Sequence, residues 1–182
     1  MDFNPSVIPD VVLIEPRVYA DDRGFFVVDF NRDEFAKAGL PDSFVQQNLS
    51  GSRYGVLRGL HYQSRYAQGK LVRVTTGKIF DVAVDLRRSS PTFGHSVGNE
   101  ISSDNHHLLW VPPGFAHGFY VMSDWAEVSY SVTDRYAPDF EHTIRWDDPD
   151  LSIDWPIPVG ESPVLSPKDA AGVPFREAIL FD

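Results

Sequence analysis

The chain has 182 residues, of which 42% are hydrophobic and 23% charged, with a formal net charge of -10 and no cysteine. The length suits one domain, 1–182, with a real core, and the composition is that of a globular protein. Lack of cysteine excludes disulfides, thiolate zinc sites and cysteine nucleophiles. The acidic balance argues against a nucleic-acid partner, and no apolar run approaches the roughly 20 residues of a membrane helix. Met1-Asp2-Phe3-Asn4-Pro5 carries no basic patch followed by an apolar stretch, so an export signal is not expected and a cytoplasmic location is. A phosphorylated small molecule remains compatible, because a few local Arg or Lys side chains suffice to hold a phosphate.

In chain order, β-branched and aromatic runs bounded by Pro, Asp and Gly predict strands at Val11–Ile14 and Gly24–Val28. Asp33–Ala38 reads as a short helix, with acids in its first turn, Gly39 at its end and Pro41 beyond. Strands are expected at Gly55–Gln63, Lys70–Thr76 and Lys78–Leu86, with Thr76-Gly77-Lys78 as a tight turn. In the last of these, Phe80, Val82, Val84 and Leu86 alternate with Asp81, Ala83 and Asp85, the period of a strand with one packed and one polar face. His95–Ile101, His107–Val111, Gly118–Met122 and Ala126–Val132 follow as strands. The Pro-rich stretch 149–167 reads as a tail wrapped over the body, and Lys168–Ala171 as a C-terminal helical turn. So many short strands indicate an all-β sandwich or barrel, its centre running from about residue 44 to 136.

Four clusters have the residue types that chemistry needs. Gly55–Gln63 contains Arg58 and His61, which strict alternation would put on opposite faces. Its glycines permit a bulge that re-aims one of them. Pro112-Pro113-Gly114 sets a rigid turn before His117. Tyr130 alternates with Val128 and Val132, and Tyr136 ends that strand. Ser166-Pro167-Lys168-Asp169 has the pattern of a capped helix start. Taken singly, each has an ordinary structural explanation: a core histidine, a corner histidine, a barrel aromatic, a cap. Arg23, Arg58, Lys70, Arg73 and Lys168 are the cations from which a local positive pocket could form. The His-x-His pair of metal-binding cupins is absent, and adjacent His106 and His107 would point to opposite faces, so no metal is expected.

The ordered series of motifs is more specific than any one of them. Asp22-Arg23-Gly24-Phe25-Phe26, Gln46-Gln47-Asn48, Gly55 to Gln63, Gln68 to Val74, Asp81 to Arg87 and Val111 to Phe119 come in turn. Tyr130, Tyr136-Ala137-Pro138, Ile144 to Pro149 and Leu165 to Asp169 complete it. Together they resemble the dTDP-4-dehydrorhamnose 3,5-epimerase family over nearly the whole chain. The resemblance implies a cupin-like jelly-roll barrel with short peripheral helices and a wrapped C-terminal tail. It also implies a homodimer that exchanges N-terminal strands, and a cofactor-independent isomerase acting on a dTDP-4-keto-6-deoxy sugar. By motif match His61 corresponds to the general base, Asp169 to its orienting carboxylate and Tyr130 to the general acid. Arg58 and Lys70 match contacts at the reacting end, and Gln46, Asn48, His117, Glu141 and Lys168 match other substrate-binding positions. Tyr136 matches the aromatic that stacks on thymine, and Arg23 a diphosphate contact from the partner subunit. One departure stands out: Val28 occupies the position of a nucleotide-touching Glu, with Asp29 beside it, which puts strict thymidine preference in question.

Such chemistry suits these residue types. A C4 ketone acidifies the protons on C3 and C5, since the carbanion is an enolate. Histidine, with a reference pKa of about 6.5, accepts a proton near neutrality; tyrosine, at about 10, holds one until the enolate calls for it. Competing readings are a monoepimerase of the same scaffold, a metal-dependent cupin oxygenase or isomerase, and a non-catalytic cupin that binds sugar nucleotides.

Overall fold

A computed structural model describes residues 1–182. In chain order its elements are β1 (Asp2–Pro5), β2 (Val12–Glu15), β3 (Val18–Asp21), β4 (Gly24–Val27), α1 (Arg32–Lys37) and β5 (Gln46–Arg53). They continue with β6 (Leu57–Gln63), β7 (Lys70–Thr76), β8 (Lys78–Asp85), β9 (Ser96–Ser102), β10 (Leu108–Val111), β11 (Phe115–Val121), β12 (Trp125–Val132), β13 (Glu141–Thr143) and α2 (Pro167–Ala170). Two antiparallel sheets face each other in a cupin-type jelly roll. The first has six strands in the order β1-β2-β10-β7-β12-β5, and the second five, β13-β6-β11-β8-β9. The β3–β4 hairpin stands apart from both.

Three apolar clusters hold this arrangement. Between the sheets, Val72, Val74, Ile79, Ala83, Phe119, Val121 and Val128 form a floor with no more than 4% exposure. Outside the second sheet, Leu57, Leu60, Tyr62, Val82, Val84 and Tyr120 are covered by Leu151, Trp155 and Ala178 of the tail. Outside the first sheet, Phe35 of α1 packs on Ile14, Leu108 and Trp110. Each fully buried side chain of this size contributes about 1.5–3 kcal/mol. The tail beyond residue 145 is therefore part of the core rather than an appendage, wrapped over the body as expected of the Pro-rich stretch. It is pinned by parallel bridges Val56↔Val164, Ile144↔Val173 and Arg87↔Phe181.

Several expectations need correction. Thr76-Gly77-Lys78 is the expected tight turn between two strands, but those strands lie in different sheets: β7 pairs with β10 and β12, whereas β8 pairs with β9 and β11. The turn carries the chain from one sheet to the other, with Gly77 at φ +79°. β8 does not have a polar outer face either. Asp81 and Asp85 are both fully buried, and each is matched to its own partners. The strand with His117 begins earlier than expected, at Phe115. Strands β1, β3, β5 and β13 carry no alternating apolar signal, and β5 reads Gln-Gln-Asn-Leu-Ser-Gly-Ser-Arg.

Candidate active site

The two sheets part at one end around a cavity of about 380 Å³. Gln46, Asn48, Arg58, His61, Lys70, His117, Tyr130, Tyr136, Glu141 and Lys168 all line it. Asp169 lies directly behind His61. Two of the singled-out residues stand elsewhere. Arg23 is at the β3–β4 turn, its side chain 89% exposed and paired with Asp21. Arg73 does not join the positive pocket. It points to the opposite face of β7 from Lys70 and pairs with Asp29.

A bulge brings Arg58 and His61 together. On β11 two steps separate His117 from Phe119, whereas their partners on β6, His61 and Arg58, are three steps apart. The extra residue turns both side chains into the cavity. Glycine is required there: a Cβ on Gly59, at φ +132°, would come within 2.6 Å of Gly118 Cα. On Gly118 it would come within 2.7 Å of the Arg58 carbonyl oxygen. The bulged strand can approach β11 only where neither residue has a side chain.

Asp169 is the third residue after the Ser166 N-cap of α2. Its backbone N–H donates to Ser166 Oγ at 3.1 Å, as the capping pattern predicted. The side chain leaves the helix and accepts from Ser166 Oγ at 2.6 Å, from the Gly59 N–H at 3.3 Å and from His61 Nε2 at 2.5 Å. Burial pushes its carboxyl up, but the hydrogen bonds from His61 and Ser166 outweigh this and hold it at about 2. An ionised carboxylate only accepts, so His61 Nε2 carries the proton and Nδ1 is the nitrogen left for the cavity.

Across the cavity, Tyr130 projects from β12 between Asn48 and Val72. Burial raises its phenol pKa, Arg58 opposes this, and Glu141 adds to it. Lys70 is 9% exposed and donates from Nζ to the His61 carbonyl at 3.3 Å. Burial lowers its pKa to about 8, against the pull of Asp81 and Glu141. Nearer the rim, Glu141 accepts from Lys168 Nζ at 2.6 Å and from the Tyr136 hydroxyl at 2.9 Å. Arg58 is oriented by Ser52 Oγ at 2.9 Å and the Gly51 carbonyl at 3.2 Å.

Sequence reasoning passed over Asp81. Its carboxylate oxygens both lie 2.9 Å from His117 Nε2, so the second cavity histidine is also held by an acid and turns its other nitrogen inward. Removing one partner of so buried a pair typically costs about 3–5 kcal/mol. Two acids at alternate positions of an otherwise apolar strand were the available signal. No three His, Asp or Glu side chains converge in a geometry able to hold a metal ion. No helix is long and apolar enough to cross a membrane.

Comparison with known proteins agrees with this geometry. The family profile for dTDP-4-dehydrorhamnose 3,5-epimerase matches residues 5–177. A dTDP-4-dehydrorhamnose 3,5-epimerase of Pseudomonas aeruginosa is 57% identical over 175 residues, covering 96% of each chain. The crystal structure of a dTDP-6-deoxy-D-glucose-3,5-epimerase from Legionella pneumophila, in complex with dTDP-4-keto-L-rhamnose, superposes with a TM-score of 0.94 at 49% identity, covering 98% of this chain and 94% of that one. A 3'-monoepimerase from Streptomyces bikiniensis in complex with dTDP-quinovose shares the fold at a TM-score of 0.88 but only 31% identity, over 94% of this chain and 87% of its own. With the profile spanning almost every residue that builds the cavity, the chain belongs to the dTDP-4-dehydrorhamnose 3,5-epimerase family.

Proposed function

We propose that this protein epimerises dTDP-4-dehydro-6-deoxy-D-glucose at C3 and C5, giving dTDP-4-dehydro-L-rhamnose for dTDP-rhamnose biosynthesis. One observation carries the reading: an acid-backed histidine, His61, and a protonated tyrosine, Tyr130, project into one cavity from opposite sheets. Inversion at carbon needs a base on one face and a proton donor on the other. His61 Nδ1 takes the proton from C3 or C5, and Asp169 stabilises the imidazolium that results. The electron pair moves into the C4 carbonyl to give an enolate. Lys70 and His117, beside the reacting end, meet the negative oxygen. Tyr130 returns a proton from the opposite face. Arg58 and Lys168 serve the charged part of the substrate, with Gln46, Asn48 and Glu141 on its hydroxyls and Tyr136 on the base.

On this reading the enzyme works in the cytoplasm as a homodimer that exchanges N-terminal strands. The β3–β4 hairpin supports this, since Tyr19, Phe25 and Phe26 are 52%, 60% and 64% exposed and Arg23 extends from its turn. Arg23 then reaches the partner's cavity rather than its own.

The test is incubation with dTDP-4-keto-6-deoxyglucose in deuterated water. Deuterium at both C3 and C5 with L-rhamno product is the expected result. Exchange at one carbon alone makes the protein a monoepimerase, and binding without exchange makes it a sugar-nucleotide carrier.

Lys70 adds a pH signature. Its pKa lies below that of free lysine, so the cation is present below about 8 and lost as pH rises through that value. The kcat/KM profile should fall on the alkaline side from about pH 8. In Lys70→Arg, whose charge persists to pH above 12, any remaining activity should lose that limb. An unchanged alkaline limb in Lys70→Arg assigns it to another group.

A further inference from the structure

The hydroxyl of Ser166, at the start of α2, bonds in two directions. Pro167 holds Ser166 in extended backbone, at φ -72° and ψ 159°, because a proline disfavours the helical conformation in the residue before it. From there Ser166 Oγ reaches over the first turn of the helix. It accepts from the Asp169 N–H at 3.1 Å, and it donates its one proton to Asp169 Oδ2 at 2.6 Å. A helix cap needs only the first of these bonds.

The second falls on the carboxylate behind the base. Asp169 is only 4% exposed, so bulk water does little to orient it. Its Oδ1 accepts from His61 Nε2 at 2.5 Å and from the Gly59 N–H at 3.3 Å. Both of these bonds act on one oxygen, and a carboxylate held by one oxygen can still turn about its Cβ–Cγ bond. The Ser166 hydroxyl takes the other oxygen and fixes the plane. Burial raises the Asp169 carboxyl, and Ser166 is, after His61, the side chain that brings it down to about 2.

We propose that Ser166 is a positioning residue for the proton transfers: through Asp169 it sets the direction in which His61 Nδ1 faces the cavity. This rests on the epimerase reading above, in which His61 is the base. Ser166 is not among the residues that line the cavity, so it acts on turnover and not on affinity. Misplacing a reacting group by about 1 Å can cost about 100-fold in rate. Ser166 is itself exposed, so water can replace a lost donor but not its fixed position, and a loss of about ten-fold is the scale expected.

Three substitutions separate the two bonds. Ser166→Thr keeps both, and the exposed position has room for the added methyl group. Ser166→Gly loses the donor but caps a helix nearly as well as serine. Ser166→Asp also caps well, yet an ionised carboxylate cannot donate and sets a like charge beside Asp169. The experiment measures kcat and KM for deuterium uptake at C3 and C5 in deuterated water, with dTDP affinity by titration calorimetry and the melting temperature. Ser166→Gly should lower kcat about ten-fold and Ser166→Asp further, with Ser166→Thr within about two-fold of wild type. KM and dTDP affinity should stay within about two-fold throughout. A role in capping alone would leave all three variants alike. Glycine or aspartate at the wild-type rate overturns the proposal, and so does threonine as slow as glycine. A loss of dTDP affinity in step with the rate overturns it too, because that reports a general displacement of the tail. Wild-type protein without deuterium uptake refutes the epimerase reading itself, and this proposal with it.

Discussion

Replacing His61 by alanine is expected to lower solvent deuterium uptake at C3 and C5 by about 10³- to 10⁴-fold, the upper range for loss of a positioned general base. Its place in the cavity makes the effect large. Asp169, at about 2, stays ionised through the working range, so it fixes the Nε2 proton and leaves Nδ1 as the acceptor. One other residue of that wall combines a ring nitrogen turned to the cavity with a buried carboxylate behind it. His117 is held in the same manner by Asp81, but stands on the neighbouring strand, level with His61. Affinity for dTDP should be nearly kept, because in the proposed mechanism the imidazole acts on carbons at the far end of the ligand. His61→Asn should behave alike. Deuterium uptake near the wild-type rate in either variant would move the base elsewhere, and His117 would be the next residue to replace.

Tyr130→Phe separates two steps that His61→Ala stops together. The phenol pKa is raised, chiefly by burial, so Tyr130 holds its proton when substrate binds. Without the hydroxyl, His61 still removes a proton and can return a deuteron to the same face. Exchange without inversion is therefore the expected signature. Inverted product should fall about 10²- to 10³-fold, while initial washout of the substrate proton falls far less. Comparing product stereochemistry with deuterium content by NMR makes the measurement. If inverted product forms at the wild-type rate, Tyr130 is not the acid, and Tyr136, a second cavity tyrosine, whose hydroxyl donates to Glu141, becomes the candidate.

Strands that bury apolar residues were legible, from alternation in β8 and β12 and from short apolar, β-branched runs in β7 and β10. So was the cap of α2, whose signal is local and needs no partner from elsewhere in the fold. β5 was not. Its inward residues Gln46, Asn48 and Ser50 face a polar cavity instead of a core, so the alternation exists without any contrast in hydrophobicity. β8 misled in the opposite direction. Its acids suggested a solvated face, yet Asp81 and Asp85 are fully buried because His117, and Arg87 with Ser90 and Thr92, satisfy them.

The same division holds for the site. Residue order and motif content were enough to name its members and the family, because they record chemistry that recurs at fixed positions along the chain. They could not show that Arg58 and His61 share a face. That depends on a bulge which exists only where Gly59 meets Gly118 of the next strand. Nor could they bring Asp169 to His61 across 108 residues, since the tail that carries it is placed by burial against Leu57, Leu60 and Tyr62. Local patterning thus determined the fold class and the cap, and the ordered series of motifs, through the resemblance it carries, supplied the candidate reactive groups. Only tertiary packing decided which of them met, because strand register and long-range burial are properties of pairs of segments and neither segment specifies them alone.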